Sequence, residues 1–334
     1  MRILGIETSF DDAGVAIYDS NLGLLVNELR HQSTIHSKYG GVIPELAARA
    51  YIYQVAPLIK HVFKSYNISS KSINGIAYTS GPGLSGSLLV GAAVGCALAY
   101  SCDIPAIPIN HMEGHLLSSM LEDNAPRFPF VGLLISGKHT QLVDANNIGK
   151  YKILGETLDD AVGEVFDKIA QSLNLGYPGG SLLSQFAEKG RIGFFKFPRP
   201  MKYRTNLNFS FSGIKTFTLN LIRKYRNNVQ CLHDIACNFE DAILDVLTYK
   251  SYCALQKCGY HSLVVAGGVS ANSKLIYRLQ CMLNKYNKKL YTVRTSFCTD
   301  NAAMIAYVGM LYLKKGFVKN LDIIIRPKWS IADI

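Results

Sequence analysis

RILGIETSFDDAGVAIY, residues 2–18, runs from an apolar stretch through a polar turn into a second apolar stretch, and PFVGLLISGKHTQLVD, residues 129–144, repeats that order. Each reads as strand, tight turn, strand. The first is followed by predicted helices near 45–64, 85–101 and 111–121, with strands at 73–79 and 105–109. The second is followed by helices near 160–174, 180–188, 232–257 and 271–285, with strands near 262–266 and 289–294. A final helix is expected from about Asn301 to Lys315. A hairpin-led α/β unit that occurs twice predicts two lobes with a cleft between them. EDNAPRFP, residues 122–129, reads as the linker. It sets lobe I at 1–127 and lobe II at 128–334, with the segment from about 300 packing back on lobe I. Residues 191–210, RIGFFKFPRPMKYRTNLNFS, lack periodicity and read as a long loop, basic and aromatic together.

A chain of 334 residues suits two medium domains, and its 49% hydrophobic content supplies buried sheets. Leu84–Tyr100 is the nearest approach to a membrane span, but it is 17 residues with three glycines and two serines. It reads as a buried core helix. The start, MRILGIETS, is no secretory signal, and a cytoplasmic, membrane-free protein is expected. The eight cysteines form no CxxC pair and no zinc-finger spacing, which points to free thiols in a reducing compartment. Net charge is +11, with basic clusters at Arg223–Arg226, Lys285–Lys289 and Lys314–Lys319. Such patches suit phosphate-rich partners, although Lys, Asn, Ile and Tyr all rise with AT-rich codons, so charge alone permits RNA binding without requiring it.

GPGLSG, with Gly81, Gly83 and Gly86, matches the dinucleotide fingerprint between a strand and a helix. It lies late in the strand order and lacks a well-placed acidic residue, so a tight strand-to-helix turn explains it as well. Ser136-Gly137-Lys138-His139-Thr140, Tyr177-Pro178-Gly179-Gly180 and Gly267-Gly268 are turns whose backbone could approach a phosphate or an adenosine. Each alone is more often a plain turn. Three in one duplicated α/β chain favour nucleotide binding.

HMEGH, residues 111–115, places two histidines at i and i+4 on one helix face, fit to chelate one metal. In a zinc protease the general base directly follows the first histidine. Here that position is Met112, and Glu113 lies roughly 200° round the helix from His111. Asn110 reads as N-cap with Glu113 at N3, and the helix N-terminus is expected to keep both imidazoles neutral. Asp300 is the best third ligand, with ordinary N-capping as its alternative role.

Taken together, GIETSFDD (5–12), YGGVIPELAAR (39–49), GPGLSGSLLVG (81–91), NHMEGH (110–115), LISGKHTQL (134–142), GETLDDAVGEVFDK (155–168), YPGG (177–180), FSFSGIKT (209–216), AGGVSAN (266–272) and CTDNAAMIAY (298–307) resemble the universal tRNA threonylcarbamoyltransferases of the bacterial TsaD type, in family order and across nearly the whole chain. The resemblance implies a two-lobed actin/Hsp70/sugar-kinase-like fold of duplicated RNase H-like units. It implies transfer of the threonylcarbamoyl group from threonylcarbamoyl-adenylate to N6 of the adenosine 3′ of the anticodon, in tRNAs reading codons that begin with A. It also implies one divalent metal, iron or zinc, on His111, His115 and Asp300, and an adenylate pocket of Leu134, Ile135, Ser136, Gly137, Lys138, Asp167, Gly180 and Asn272. The expected partners are tRNA, a paralogue lacking the metal site and a small ATPase. Asp11, at the first hairpin tip, is a candidate for proton handling, with a plain turn aspartate as its equal alternative. Residues 191–204 are a candidate tRNA contact.

The family usually has cysteine at Phe10, threonine at Ala13, glycine at Lys138 and proline at Ser181. Lysine at 138 would cost about 1 kcal/mol or more if that turn required φ > 0; alternatively its ammonium would help hold the phosphate. Archaeal members often have a metal-binding tyrosine where this chain has Leu134. Two other classes share these features in part. A sugar kinase of the same fold would have no use for HMEGH with Asp300. A non-enzymatic scaffold would not need the three ligands intact.

Overall fold

The computed structural model describes residues 1–10, 12–31, 43–317 and 322–334. Asp11, residues 39–42 and Lys319 lie outside them. The chain divides into two compact units, one of Met1–Asp123 with Thr299–Ile334 and one of Asn124–Cys298.

In unit 1, β1 (Arg2–Glu7), β2 (Asp12–Asp19), β3 (Gly23–His31), β4 (Gly75–Gly81) and β5 (Ala106–Asn110) form a sheet in the order β3-β2-β1-β4-β5. The first three strands pair antiparallel, and β4 and β5 join parallel. Helices α1 (Pro44–Ser65), α2 (Ser85–Cys102) and α3 (His111–Leu117) follow their strands, and α10 (Ala302–Lys314) returns to this sheet. In unit 2, β6 (Phe130–Ile135), β7 (Thr140–Asn147), β8 (Lys150–Glu156), β9 (Ser262–Ala266) and β10 (Lys289–Thr292) repeat the same scheme, β10-β9-β6-β7-β8. Its helices are α4 (Val162–Ser172), α5 (Gly180–Ala187), α6 (Ser212–Lys224), α7 (Val229–Cys258), α8 (Ser273–Lys285) and the single turn α9 (Thr295–Cys298). The predicted duplication is thus present strand for strand. Central strands covered on both faces should be apolar throughout, and every residue of β4 and β6 is buried.

Several elements differ from the sequence reading. Each hairpin is a three-stranded meander, because β3 and β8 add an edge strand. Edge strands are half-exposed and carry mixed polar faces, so their period-2 signal is weak: Lys150, Lys152 and Glu156 of β8 face solvent. Helix α6, SGIKTFTLNLIRK, was missed because Ile, Phe and three β-branched or aromatic neighbours favour strand locally. It is started from outside: Asp159 accepts the Phe211 and Ser212 amides (2.7 and 3.3 Å) and the Ser210 and Ser212 hydroxyls (2.6 and 2.7 Å). Helix α2, read as a buried core helix, buries one face (Leu88, Ala92, Gly95, Cys96 and Ala99 among others) and leaves Leu89 and Tyr100 48% and 75% exposed. It is also the one described helix long and apolar enough to cross a membrane.

The close seat of α10 fixes the geometry of unit 1. A Cβ on Gly5 would lie 2.5 Å from the Ala302 carbonyl, and one on Gly309 2.4 Å from Ala77 Cβ. Glycine at these positions lets the helix lie directly on β1 and β4. GPGLSG has a similar explanation, since Gly81 sits at φ +152° against the Arg326 carbonyl and Gly83 against the Ser9 carbonyl. Those glycines serve backbone packing, as the alternative to a dinucleotide turn required.

Candidate functional site

Helix α3 starts where β5 ends. Asn110 is its N-cap, accepting from the Met112 and Glu113 amides (2.9 and 3.2 Å). All seven residues of α3 are buried, and each face has one neighbour. Gly114 meets α10, where a Cβ would stand 3.1 Å from Met304 and Ile305 side-chain atoms. Glu113 turns away from the histidines and accepts the Tyr312 hydroxyl (3.0 and 3.1 Å). His111 and His115 share the remaining face, with ring centroids 4.6 Å apart.

At the head of α10, capping falls to Asn301, whose side chain accepts from the Met304 amide (3.1 Å). Asp300 is left to turn toward α3. Its Oδ1 stands 3.0 Å from His115 Nε2 and 3.5 Å from His111 Nε2. One ligand atom from each of the three residues falls within 4.8 Å of the others. Two atoms that each sit about 2.0–2.1 Å from a tetrahedral ion are about 3.3 Å apart, and the two measured edges bracket that spacing. Both histidines are 1% exposed, whereas the Asp300 side chain is 23% exposed, so the cluster is closed on the protein side and open beside the carboxylate. His115 Nδ1 is buried with no partner among the described residues.

Sequence reasoning missed the group behind His111. Glu7, at the end of β1 and fully buried, accepts from the Ser9 amide (2.6 Å), the Thr79 hydroxyl (2.7 Å) and His111 Nδ1 (3.1 Å). Ser9 Oγ also lies 3.1 Å from Nδ1. A proton held on Nδ1 leaves the Nε2 lone pair facing Asp300. Burial alone would lower the His111 pKa, but the Glu7 and Asp300 carboxylates outweigh it and raise it above the usual imidazole value. The two carboxylates thus act on His111 against the helix end, whose dipole favours the neutral ring.

The eight residues of the expected adenylate pocket all fall in unit 2, around the ends of β6 and β9. The turn after β6 is closed by the Ser136 amide donating to the His139 carbonyl (2.8 Å), while Ser136 Oγ accepts the Lys138 and His139 amides (3.3 and 3.1 Å). Gly163 of α4 rests on it, with its Cβ position 2.8 Å from Gly137 Cα. Gly267, at φ +94°, lies against the Ile135 carbonyl. Asp167 accepts the Gly179 amide (2.8 Å), and burial raises its pKa against that bond. Nothing lies within 4 Å of the Cβ position of Gly180. Asn272 caps α8 through the Leu275 amide (2.9 Å) and donates to Glu240 (2.8 Å) and Ser184 (3.1 Å). Glu240, only 2% exposed, is a second residue the sequence did not single out.

Two expectations need correction here. The left-handed non-glycine residues among those described are Asn67, Asp103, Asn174, Met201 and Asn287; Lys138 is not one, so its lysine carries no such strain. Leu134 and Ile135 are 1% and 0% exposed within β6, main chain included, so neither presents a surface to a ligand.

In the 191–204 loop, most cations are committed internally. Arg191 pairs with Asp234, Arg199 with Asp241 and Asp245, and Lys202 with Asp245, all on α7.

The sequence profile of the TsaD family, tRNA N6-adenosine threonylcarbamoyltransferase, matches residues 23–307. Among solved structures, HypF from T. kodakarensis aligns with TM-score 0.63 at 15% identity over 94% of this chain and 48% of its own, so the chain spans about half of that protein. The activator of the 2-hydroxyisocaproyl-CoA dehydratase from Clostridium difficile, solved with bound ADPNP, aligns with TM-score 0.54 at 11% identity over 96% of this chain and 99% of its own. Component A of the (R)-2-hydroxyglutaryl-CoA dehydratase from Acidaminococcus fermentans gives 0.53 at 12% over 92% and 96%. At such identities these likenesses speak for the fold, the duplicated α/β architecture of the actin class.

Proposed function

The chain belongs to the TsaD family, and from that membership and its His111–His115–Asp300 cluster we propose that it transfers the threonylcarbamoyl group of threonylcarbamoyl-adenylate to N6 of the adenosine 3′ of the anticodon in tRNAs reading codons that begin with A. The observation that carries the reading is the convergence of two buried imidazoles and one half-open carboxylate on a common point. That donor set suits zinc or ferrous iron, and the spacing and the Glu7-held tautomer fit such an ion. When bound, the ion would polarise the transferred carbonyl and steady the charge that develops on it.

The rest belongs to the protein's own groups. The Gly137 amide, the α4 and α8 N-termini and Gly267-Gly268 would offer main-chain donors for the adenylate phosphate. Asp167 and Asn272 would fix the nucleoside, with Glu240 and Ser184 holding the Asn272 amide in place. AMP is already an activated leaving group, so no covalent enzyme intermediate is required. The adenine amine is a weak nucleophile, and holding both substrates still supplies much of the rate. Asp11 is proposed for proton handling, and a cytoplasmic setting follows from the substrate. The outward stripe of Ile52, Tyr53, Leu89 and Tyr100 on α1 and α2, each 48–79% exposed, supports docking of a paralogue lacking the metal site, which would bring a small ATPase into the same complex.

The test is in-vitro transfer from threonylcarbamoyl-adenylate to a tRNA transcript with those partners present, read by mass spectrometry of the nucleosides. Modified adenosine from the native chain and none from His111→Ala supports the proposal. No product from the native chain at any partner stoichiometry would sink it.

A further inference from the structure

The positive charge is not shared between the units. Unit 1 holds 12 Lys and Arg against 13 Asp and Glu, whereas unit 2 holds 23 against 11. An asymmetry of this size between halves of one chain marks a polyanion-facing side. Much of unit 2's charge is spent internally: Arg191, Arg199, Lys202, Lys215, Lys274 and Arg278 each pair with a carboxylate. Among the cations that remain, three stand together at the end of one helix.

Arg223, Lys224 and Arg226, at and just past the end of α6, are exposed and form no ion pair with a described residue. Two of them complement the helix dipole, but Arg226 lies beyond the helix, and the patch continues onto another segment. Phe195 packs against Tyr225 (5.4 Å between centroids) and Phe197 against Phe217 (5.1 Å), which brings the 194–197 segment alongside α6. That segment adds exposed Lys196, and Phe194, which stays 50% exposed with the Arg191 guanidinium 4.1 Å from its ring centroid. Because Arg191 is clamped to Asp234 on α7 (2.6 Å), the ring is held in place rather than on a loose loop. Fixed cations with an exposed aromatic ring among them are what a single-stranded RNA segment engages: phosphates meet the charges and an unstacked base meets the ring.

We propose that Arg223, Lys224, Arg226 and Lys196, with Phe194 as a stacking platform, form the RNA-docking surface of this chain. The inference rests on the tRNA-modifying reading above, but it is tested apart from it. Binding of a fluorescent tRNA transcript to the full chain is measured by anisotropy across a salt series, without acyl donor or partner.

The Arg223→Ala, Lys224→Ala, Arg226→Ala triple variant should flatten the slope of log K against log salt by about 2 to 3. Near 0.15 M salt each lost phosphate contact is worth roughly 4- to 5-fold, so the loss of three should lower affinity roughly 60- to 125-fold. Phe194→Ala should cost about tenfold with the slope unchanged. A charge-matched control, Lys257→Ala, Lys285→Ala, Lys289→Ala, removes three exposed cations elsewhere on unit 2 and should cost less than about threefold. Thermal unfolding of each variant must match the native chain, as expected for exposed sites.

A native slope in the first triple variant overturns the proposal, and so does an equal loss in the control. Competition by polyglutamate at the same potency as RNA overturns it in favour of an acidic protein partner. If transfer fails while binding shows this pattern, the surface stands and the catalytic reading falls; if transfer works but binding ignores these residues, the surface alone falls.

Discussion

Replacing Glu7 by Gln should disable metal binding from behind, without touching a ligand. The Glu7 carboxylate accepts on both oxygens: Oε1 from the Ser9 amide at 2.6 Å, Oε2 from Thr79 Oγ1 at 2.7 Å and from His111 Nδ1 at 3.1 Å. The Ser9 N–H is a fixed donor, so in the glutamine the carbonyl oxygen must stay on that side. The NH2 group then faces Thr79 and His111. Thr79 can rotate its hydroxyl to accept. His111 can avoid a donor–donor clash only by accepting at Nδ1, which moves its proton to Nε2, the atom that faces Asp300 and His115. Loss of such an outer partner typically weakens metal affinity by about 10- to 100-fold, or roughly 1.4–2.7 kcal/mol. Competition against a chromophoric zinc chelator measures it, with Glu7→Asp expected between native and Glu7→Gln. A Glu7→Gln protein that binds zinc within about threefold of native would refute the tautomer argument. It would mean His111 keeps its Nε2 lone pair by some other contact.

Three further outcomes follow from particular contacts. Asp300→Ala or His115→Ala should each remove stoichiometric metal, as read by elemental analysis of the purified protein. Asp300→Ala should unfold in chelator within about 1 kcal/mol of native, because Asn301 rather than Asp300 caps α10. Lys138→Gly should lower stability by about 0.5–1 kcal/mol in denaturant titration, since the lysine sits outside the left-handed region and glycine adds only unfolded-state entropy; a gain would show that the turn is strained. Asp159 is held down to about 2 from 3.8: burial would raise it, but bonds from Ser210, the Phe211 amide, Ser212 and the Asp160 amide outweigh that. A depressed carboxyl stabilises above its unfolded value and loses that contribution as pH falls through the folded one. Native stability should therefore decline between about 3.8 and about 2 by more than that of Asp159→Ala, which should already be about 1–2 kcal/mol weaker at neutral pH; parallel pH profiles would refute the assignment.

What the sequence disclosed about the site divides by chain distance. His111 and His115 are four residues apart on one helix, so periodicity alone placed them on one face, and it also turned Glu113 away from them. Asp300 is 185 residues from His115, and only the resemblance reached it. No local pattern distinguishes an aspartate that caps a helix from one beside it, and here the neighbouring Asn301 took the capping role. Glu7 was out of reach for a further reason: a carboxylate at a strand end reads as a surface residue until β4 is known to lie beside β1, with Thr79 near its end to share the burial. The duplication was visible because each half opens on an apolar strand, a polar turn and a second apolar strand, while β3, β8 and α6 were not, because their formation depends on edge pairing and on the distant Asp159. The internal use of the 191–204 cations did have a local signal. Asp234, Asp241 and Asp245 recur at helical spacing on one face of α7, too many carboxylates for a basic unit to leave unpaired. Those carboxylates account for the paired cations of the loop and leave Lys196 and the cations of the Arg223–Arg226 turn, which form no ion pair with a described residue.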